Sequence, residues 1–329
     1  VVGHEFNPRS PEQVAAYLYD TVGIPEDRKL GRTTEAKHIQ QFLNVPFIAM
    51  LLAYRTAQAY ISRYTKPLQL APRVSGLVSL VGTDTDRLSQ ANRNCMNFPL
   101  LVKQCIQADE GGYFVYGDYN QIELRLAAYF SRDPYLLAVL REGRNMHEEL
   151  CLAVYGARTP DTYVQAKSSN FAKLYGAGLN TRARTLKQPA SVVQRHEIPW
   201  PGWDAWAAAR RREPARTYWG YERNLSSNRE SADEYMREKA NREAINSIIQ
   251  GTGGEITQYA EVLGEENLGD LGGRVLQQEH DSVLGWVPQS IKPAEACEAL
   301  AQAMAAAVPA EIKAVIVIPA KVITGRHWN

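Results

Sequence analysis

The sequence predicts an α+β fold, because helical patterns dominate the chain and a few short strand-like runs interrupt them. Residues 111–118 form an apolar and aromatic run that follows glycines, which is typical of a buried strand. Two apolar runs flank His280-Asp281 within residues 273–288 and predict a hairpin, and residues 314–325 predict a last strand. Strands that are few and set among helices favour this class.

Helical signals explain much of the remaining chain. The helical stretch 8–60 opens with an N-cap serine and a proline at residues 10–11, and a polar loop divides it. A further helix begins at residues 159–160 and ends at the glycines after Tyr175.

The second half of the chain contains the strongest helical pattern and the weakest. Residues 238–263 have a helical period that glycines interrupt, and residues 293–308 predict another helix. Residues 66–100 and 187–235 have no regular period, so we expect irregular structure there.

Composition limits the classes of protein that remain. The chain has 329 residues and is 45% hydrophobic, enough to bury a sizeable core. Its net charge is +1, so a surface for nucleic acid must be local. The four cysteines lack C-x-x-C and zinc-ligand spacing, which argues against a structural metal and favours a reducing compartment. No apolar run approaches the roughly 18 residues of a membrane span, so we expect a cytoplasmic protein.

Two aspartates, Asp118 and Asp281, stand at the edges of strand-like runs that are far apart in the sequence. If the strands are neighbours, the carboxylates could share a pair of divalent cations, the arrangement that clamps the attacking and leaving oxygens of phosphoryl transfer. Magnesium suits such a site because it prefers oxygen ligands and substrate phosphates. Each aspartate can also be an ordinary turn residue.

A second candidate is the helical face formed by Lys167, Phe171 and Tyr175, which are four residues apart. An ammonium group beside two aromatic rings can hold a phosphate and stack a base. The alternative is an amphipathic helix whose aromatic residues belong to the core.

A third candidate is the row Arg242, Asn246 and Gln250, again at a spacing of four. Guanidinium and amide groups along one face can contact phosphates or base edges of a duplex. Polar residues at this spacing also form the solvated side of many helices.

In their order along the chain, these motifs resemble those of the family A DNA polymerases, of the bacterial DNA polymerase I type. The resemblance rests on DYNQIELRLAAYFSRDPYLLAVLREGRNMH at 118–147, KSSNFAKLYGAG at 167–178, NREAINSIIQGTGGEI at 241–256 and QQEHDSV at 277–283. It implies a right-hand polymerase fold with an antiparallel-sheet palm, helical fingers and a short helical thumb. The expected parts are a thumb at 1–65, a first palm segment at 66–146, fingers at 147–235 and a second palm segment at 236–329.

The resemblance also implies a role for each candidate residue. Asp118, Asp281 and the backbone carbonyl of Tyr119 would hold the metal, and Lys167 would assist catalysis by binding the triphosphate. Glu123 would be a steric gate that excludes a ribose 2′-hydroxyl. The other nucleotide-binding residues would be Gln121, His147, Phe171 and Tyr175. Primer and template would be contacted by Arg87, Asn94, Asn97, Arg242, Asn246, Gln250 and His280.

Two positions depart from the family pattern. The family carries an arginine four residues before the lysine of the fingers helix, as a second phosphate clamp, and Tyr163 stands there. Arg158, one or two turns earlier, is a candidate substitute. Ser282 follows Asp281 where the family has a glutamate, so a supporting carboxylate is lost. These departures indicate a divergent member, of the kind found in phages or viruses.

The resemblance therefore predicts a DNA polymerase that uses two Mg²⁺ ions, with Mn²⁺ as a substitute, and acts on primer-template DNA and deoxynucleoside triphosphates. We expect a monomer in the cytoplasm of a bacterial or phage-infected cell. The chain contains no D-x-E triplet of the exonuclease type, so we expect no 3′ to 5′ proofreading from it. Two alternatives stay open, a metal-dependent nuclease and a non-catalytic nucleic-acid-binding relic. Glu123 and the Lys167 face favour the polymerase, because a nuclease needs neither a sugar gate nor a triphosphate-binding helix.

Overall fold

The computed structural model of the protein describes residues 6–69, 73–79, 83, 87–91, 94–211 and 213–328. The chain divides into two compact units, residues 1–74 and 75–329. The predicted division into thumb, palm and fingers is not tested by these units and stays a prediction. Within the described ranges, no helix combines the length and apolar character that a membrane span requires.

The first unit is helical. Ser10 caps its first helix by accepting a hydrogen bond from the Gln13 amide, as predicted, and Gly23 in the left-handed region ends the π-helical turn that follows. Its helices and turns are α1 (Pro11–Ala16), a π-helical turn (Tyr17–Val22), α2 (Ala36–Ile39), a 3₁₀ turn (Gln40–Phe42), α3 (Pro46–Tyr60), a second π-helical turn (Ile61–Thr65) and α4 (Lys66–Gln69). Their apolar faces bury a separate small core of Val14, Leu18, Ile24, Ile39, Phe47, Ile48 and Leu51.

The second unit is built on an antiparallel sheet of four strands in the order β6-β7-β3-β8. These strands are β3 (Gly112–Tyr119), β6 (Arg274–Glu279), β7 (Ser282–Pro288) and β8 (Ala320–Gly325). Two small antiparallel pairs lie elsewhere, β1 (Leu77–Ser79) with β2 (Ser89–Ala91), and β4 (Ala215–Arg216) with β5 (Glu222–Arg223). The predicted α+β class, the strand at 111–118 and the hairpin around His280-Asp281 are confirmed.

Helices surround this sheet. In chain order they are α5 (Leu100–Lys103), α6 (Ile122–Ser131), α7 (Pro134–Arg141), α8 (Met146–Tyr155), α9 (Pro160–Leu174), α10 (Leu179–Leu186), α11 (Ala190–Arg195), α12 (Pro201–Arg210), α13 (Ser226–Arg229), α14 (Glu234–Gly269), α15 (Pro293–Ala307) and α16 (Ala310–Lys313), with a 3₁₀ turn at Cys95–Asn97. Helix α9 begins at the predicted residue, because Thr159 and Thr162 form a reciprocal capping box.

The large core joins the sheet to α6, α14 and α15. Gly117, in the strand that leads to Asp118, lets α15 approach closely: a Cβ at this position would lie 2.4 Å from the Met304 Sδ atom. The Tyr119 hydroxyl, at the end of the same strand, donates to the Met304 carbonyl at 2.6 Å. The strand that carries the first aspartate is therefore anchored to α15 on both sides of that residue.

The structure differs from the sequence prediction in four places. Residues 66–100, which we expected to be irregular, contain α4 and the small β1–β2 pair. Residues 187–235 hold α11, α12 and α13 instead of irregular structure, and the buried rings of Trp200 and Trp203 anchor α12 to the core. Helix α14 runs through its glycines without a break, because tertiary packing outweighs the cost of about 1 kcal/mol per helical glycine. The last strand starts at Ala320, since Pro319 cannot donate to a sheet and residues 314–315 form the turn that follows α16.

Gly202 in α12 provides a test of close packing. A Cβ there would lie 2.6 Å from the Cα atom of the buried Asp133, and a backbone atom cannot rotate away. Because alanine is otherwise the better helix former, Gly202→Ala should lower the free energy of unfolding by about 1–3 kcal/mol through overpacking alone. Urea denaturation measures the change. Gly269→Ala, at the end of α14 where no atom lies within 4 Å, is the matched control and should be neutral or slightly stabilising; equal effects would contradict the packing argument.

Candidate functional site

The sheet brings the two aspartates together. Asp118, the next to last residue of β3, pairs directly with Ser282, the first residue of β7. The Tyr119 amide donates to the Asp281 carbonyl at 3.0 Å. Directly paired residues of antiparallel strands have Cα atoms about 4.5–5.5 Å apart, and Asp281 is the chain neighbour of Ser282. Two acids 163 positions apart in the sequence thus lie at adjoining strand ends.

Both acids are next to backbone in a sparsely populated conformation. Gln121 has φ 54° and His280 has φ 52°, in the left-handed region that non-glycine residues rarely adopt. Buried Arg125 holds the turn after β3, because its guanidinium donates to the Asn120 carbonyl at 2.9 Å and to the Val317 carbonyl at 2.7 Å. Strain at the turn after β3 is therefore held by the fold around it.

The electrostatics of the pair favour a cation. Burial, together with the charges of Asp281 and Glu279, raises the pKa of Asp118 to about 6. Burial and the nearby Glu123 also raise the pKa of Asp281. Because a bound cation would relieve this repulsion, the pair fits a divalent ion of the oxygen-seeking type.

The donor set is small. Asp118, Asp281 and the carbonyl of Tyr119 are hard oxygen donors, and Mg²⁺ typically takes one or two carboxylates and completes its shell with water and substrate phosphates. In the part of the chain that the structure describes, no group of three or more His, Cys, Asp or Glu side chains is arranged to hold a metal ion. The residues present therefore fit an ion that depends on its substrate for further ligands.

Glu279 and Lys103 lie beside the pair, and sequence reasoning missed both. The Lys103 ammonium donates to both Glu279 carboxylate oxygens at 2.5 Å, and both side chains are mostly buried. Ser282, where the family pattern has a glutamate, is buried, and its hydroxyl donates to the Glu279 carbonyl at 2.9 Å. Glu279 is the direct cross-strand partner of Ser282, so a carboxylate is present on the neighbouring strand. The signal for it was an acidic residue two positions before Asp281.

Glu123 is the centre of a hydrogen-bonded network. One of its carboxylate oxygens accepts from the Arg87 guanidinium at 2.5 Å, and the other accepts from the Tyr175 hydroxyl. Gln250 donates its side-chain amide to the same hydroxyl at 3.0 Å. Burial and the charge of Glu123 raise the pKa of Tyr175, so the hydroxyl stays protonated. Four of the predicted site residues, from four distant segments, meet here.

The exposed face of α9 presents Lys167, and Phe171 lies one turn further on. Phe171 packs against the His147 ring, with ring centroids 5.8 Å apart. Lys167 is close enough to lower the pKa values of both His147 and Asp118. The predicted nucleotide-binding residues of α9 and the first aspartate therefore share one region.

His147 is buried and neutral. Burial and the charge of Lys167 lower its pKa to about 4. Its Nδ1 atom accepts from the Asn170 side-chain amide at 3.0 Å, so Nε2 carries the hydrogen, and within the described ranges that buried atom has no partner. Asn170, which sequence reasoning did not select, sets the tautomer. The ring can donate one hydrogen bond to a ligand.

Only some of the residues predicted to contact nucleic acid lie close to one another. On α14, Arg242 lies beside Gly176, where an added Cβ would be 3.5 Å from the Arg242 Cγ atom, and Gln250 reaches Tyr175. The side-chain carbonyl oxygens of Asn94 and Asn246 are buried and have no hydrogen-bond partner among the residues that the structure describes, as ligand-binding groups can. Asn97 is exposed in the 3₁₀ turn, and His280 is exposed next to Asp281.

In the metal-free protein, the ionised form of Asp118 should lower the free energy of unfolding. Its folded-state pKa lies above the ordinary value of 3.8, so the ionised form is disfavoured by folding, and this cost is lost as the pH falls from about 6 to 4. We expect Asp118→Asn to raise the free energy of unfolding at about pH 7.5 by about 1 kcal/mol, after discounting for partial exposure, and to have little effect near pH 4. Urea denaturation with a chelator measures both values. Asp270→Asn, at an exposed carboxylate, is the control, and a pH-independent gain would contradict the argument.

Comparison with known proteins identifies the family to which this chain is similar. Residues 1–329 match the family model described as DNA polymerase family A. The thermostable DNA polymerase I of Thermus aquaticus is 30% identical over 331 residues, which cover 92% of this chain and 39% of the relative. DNA polymerase I of Helicobacter pylori (strain 26695) is 28% identical over 314 residues, covering 89% of this chain and 35% of the relative. The chain thus spans well under half of the length of these relatives.

A solved structure is similar over nearly the whole chain. The POL domain of Pol1 from M. smegmatis, in complex with DNA primer-template and dNTP, superposes with a TM-score of 0.87 at 25% identity. The match covers 99% of this chain and 62% of that one. It confirms the polymerase fold that the sequence predicted. With the family model matched from the first residue to the last, the chain belongs to DNA polymerase family A.

Proposed function

We propose that this chain carries out DNA-templated DNA synthesis, adding a deoxynucleotide to a primer 3′-hydroxyl with release of pyrophosphate. The observation that carries the proposal is the convergence of Asp118 and Asp281 at adjoining strand ends, next to the α9 face that presents Lys167. Membership of family A supports it, as does the similar POL domain that was solved with DNA primer-template and dNTP.

Asp118, Asp281 and the Tyr119 carbonyl would hold two Mg²⁺ ions, for which Mn²⁺ would substitute. When bound, the ions would lower the pKa of the primer 3′-hydroxyl and neutralise charge on the leaving pyrophosphate. The chain itself contributes two acids held at a fixed separation by sheet hydrogen bonds. Because their repulsion is already present in the folded protein, little reorganisation is needed when cations arrive.

The incoming nucleotide would lie along α9. Lys167 would bind the triphosphate, the His147 Nε2–H group would donate to it, and Phe171 would stack beside the sugar and base, with Gln121 nearby. Glu123 would exclude the ribose 2′-hydroxyl, since Tyr175 and Arg87 hold both of its carboxylate oxygens in place. Tyr175 would close the pocket for the nascent base pair.

Primer and template would be bound by the polar groups around this network. Arg87, Asn94, Asn97, Arg242, Asn246, Gln250 and His280 are the proposed contacts. The unpartnered carbonyl oxygens of Asn94 and Asn246 support the proposal, because a nucleic acid can supply hydrogen-bond donors to them. The proposed parts are a thumb at 1–65, palm segments at 66–146 and 236–329 and fingers at 147–235, in a cytoplasmic enzyme that acts as a monomer.

A metal-dependent nuclease is the rival function, because two carboxylates with magnesium serve hydrolysis as well. The network around Glu123 favours synthesis, since a hydrolase that attacks with water has no use for a group that monitors a sugar. The absence of a D-x-E triplet from these 329 residues also favours synthesis without 3′ to 5′ proofreading.

Asp281→Asn should reduce primer extension by at least about a thousand-fold, because the metal site loses half of its carboxylate charge. The measurement is extension of a labelled primer with Mg²⁺ and four deoxynucleotides, alongside primer-template affinity, which should be unchanged. Asp270→Asn is the matched control. Degradation of the primer by the unaltered chain would support the nuclease, and binding with neither reaction would support the relic.

Glu123→Ala should raise the ratio of ribonucleotide to deoxynucleotide kcat/KM by about ten-fold or more, because space opens for the 2′-hydroxyl. Glu123→Gln keeps the volume and one acceptor, so it should retain most of the discrimination. Single-nucleotide incorporation kinetics measure both. If the alanine variant selects sugars as the unaltered chain does, the gate assignment is wrong.

A further inference from the structure

The start of α9 carries a second exposed cation, Arg158, which lies over an aromatic ring. Arg158 directly precedes the N-cap residue Thr159, and its guanidinium carbon lies 4.7 Å from the centroid of the Tyr163 ring. Cation–π contact at this distance favours a guanidinium group that stays over the ring face. Tyr163 and Lys167 are one helical turn apart, so the support and the lysine project from the same side of α9.

The Tyr163 ring is itself fixed by α8. Asn145 donates its side-chain amide to the Tyr163 hydroxyl at 3.1 Å, while its carbonyl oxygen accepts from the His147 and Glu148 amides. The His147 ring meets the Tyr163 ring edge to face, with centroids 6.1 Å apart. Asn145 therefore uses both ends of its amide, and the aromatic support for Arg158 has a single defined position.

Arg158 has little to satisfy its charge inside the protein. Its carboxylate contact within the described residues is Glu148, at 3.9 Å, the outer limit of an ion pair, and both side chains are about half exposed. Such a pair contributes little. The planar donors of the guanidinium are thus free for a bidentate anion such as a phosphate.

The order of charges along α9 indicates which phosphate this would be. The Tyr175 hydroxyl at the C-terminal end of α9 donates to Glu123, five residues after Asp118, so this end of the face lies nearest the reacting centre, and Lys167 is nearer to it than Tyr163 is. Tyr163 is one turn, about 6 Å, further away, and Arg158 is on its ring. A triphosphate whose α-phosphate is near Asp118 would pass Lys167 first and end near Arg158.

We propose that Arg158, held on the Tyr163 ring, binds the terminal phosphate of the incoming nucleotide and makes the chain select triphosphates over diphosphates. This deepens the proposed function and rests on it, because it takes the nucleotide to lie along α9. Arg158 acts here by binding and positioning the substrate. Tyr163 is a positioning residue that acts through Arg158.

The test uses direct nucleotide binding and catalysis in parallel. Arg158→Gln should weaken dNTP binding to the complex with a dideoxy-terminated primer-template by roughly 10- to 100-fold, the range for a charged hydrogen bond, and leave dNDP binding nearly unchanged. Displacement of a fluorescent dNTP by dNTP or dNDP measures both. In extension assays the KM for dNTP should rise more than kcat falls.

The chain offers a matched control. The Arg132 guanidinium also lies 4.7 Å from a tyrosine ring, that of Tyr129, so Arg132→Gln removes an equivalent stacked cation away from α9. It should change neither dNTP binding nor KM. Tyr163→Arg, combined with Arg158→Gln, places a guanidinium on the same face and should restore the preference for dNTP over dNDP.

The outcomes separate the two proposals. If the unaltered chain extends primers but Arg158→Gln binds dNTP as Arg132→Gln does, the assignment of Arg158 is overturned and the polymerase function stands. If the unaltered chain binds dNTP through Arg158 but extends no primer, the proposed function fails and the phosphate contact is supported. Equal weakening of dNTP and dNDP by Arg158→Gln would also overturn the terminal-phosphate assignment.

Discussion

The hydrogen bond from the Tyr119 amide to the Asp281 carbonyl joins the end of β3 to the turn between β6 and β7, and the candidate site depends on it. Two partly buried carboxylates of like charge would separate if their backbones were free. The ladder between β3 and β7 runs from Gly112 to Asp118 and keeps them together. The cost appears in the raised pKa values of both acids. The fold holds the two carboxylates close in spite of their repulsion. A cation that binds both of them relieves this repulsion, which favours its binding.

A second constraint is the sharing of Glu123. Arg87 and Tyr175 occupy its two oxygens, and Gln250 holds the Tyr175 hydroxyl. The proposed sugar gate is thereby connected to Tyr175 at the end of α9 and to two proposed contacts of the nucleic acid, Arg87 and Gln250. Any movement of Tyr175 must break or stretch a bond to Glu123. In the proposed function, selection of the sugar and placement of the template would therefore be linked through one carboxylate.

The face of α9 is organised by charge as well as by helical spacing. Lys167 is exposed, and the buried His147 beside it is neutral, because desolvation and the lysine both oppose its protonation. Asn170 and Asn145 orient the two rings that lie between the cations, and each makes its hydrogen bonds from a neighbouring element. A neutral donor between two cations suits a polyanion, since it adds a hydrogen bond without adding repulsion between positive groups.

Local signals were enough to predict several elements. The capping residues Ser10 and Thr159 mark the helices that follow them, and the apolar run before Asp118 marks β3. The short helices of residues 187–235 could not be predicted, because each is stabilised by tertiary burial: Trp200 and Trp203 at α12, Val193 in α11 and Leu225 just before α13. Lys103 and Glu279 could not be selected either, since an ion pair between residues 176 positions apart has no local signature.

By itself, the sequence determined the α+β class, the two strand-end aspartates and the spacing of the faces on α9 and α14, because capping and periodicity act between residues a few positions apart. Only the tertiary structure decided that Asp118 meets Asp281, that Glu123 joins Arg87 and Tyr175, and that Arg158 rests on Tyr163. These contacts depend on strand order and helix packing. They are set by burial of the whole core, and no short stretch of residues encodes them.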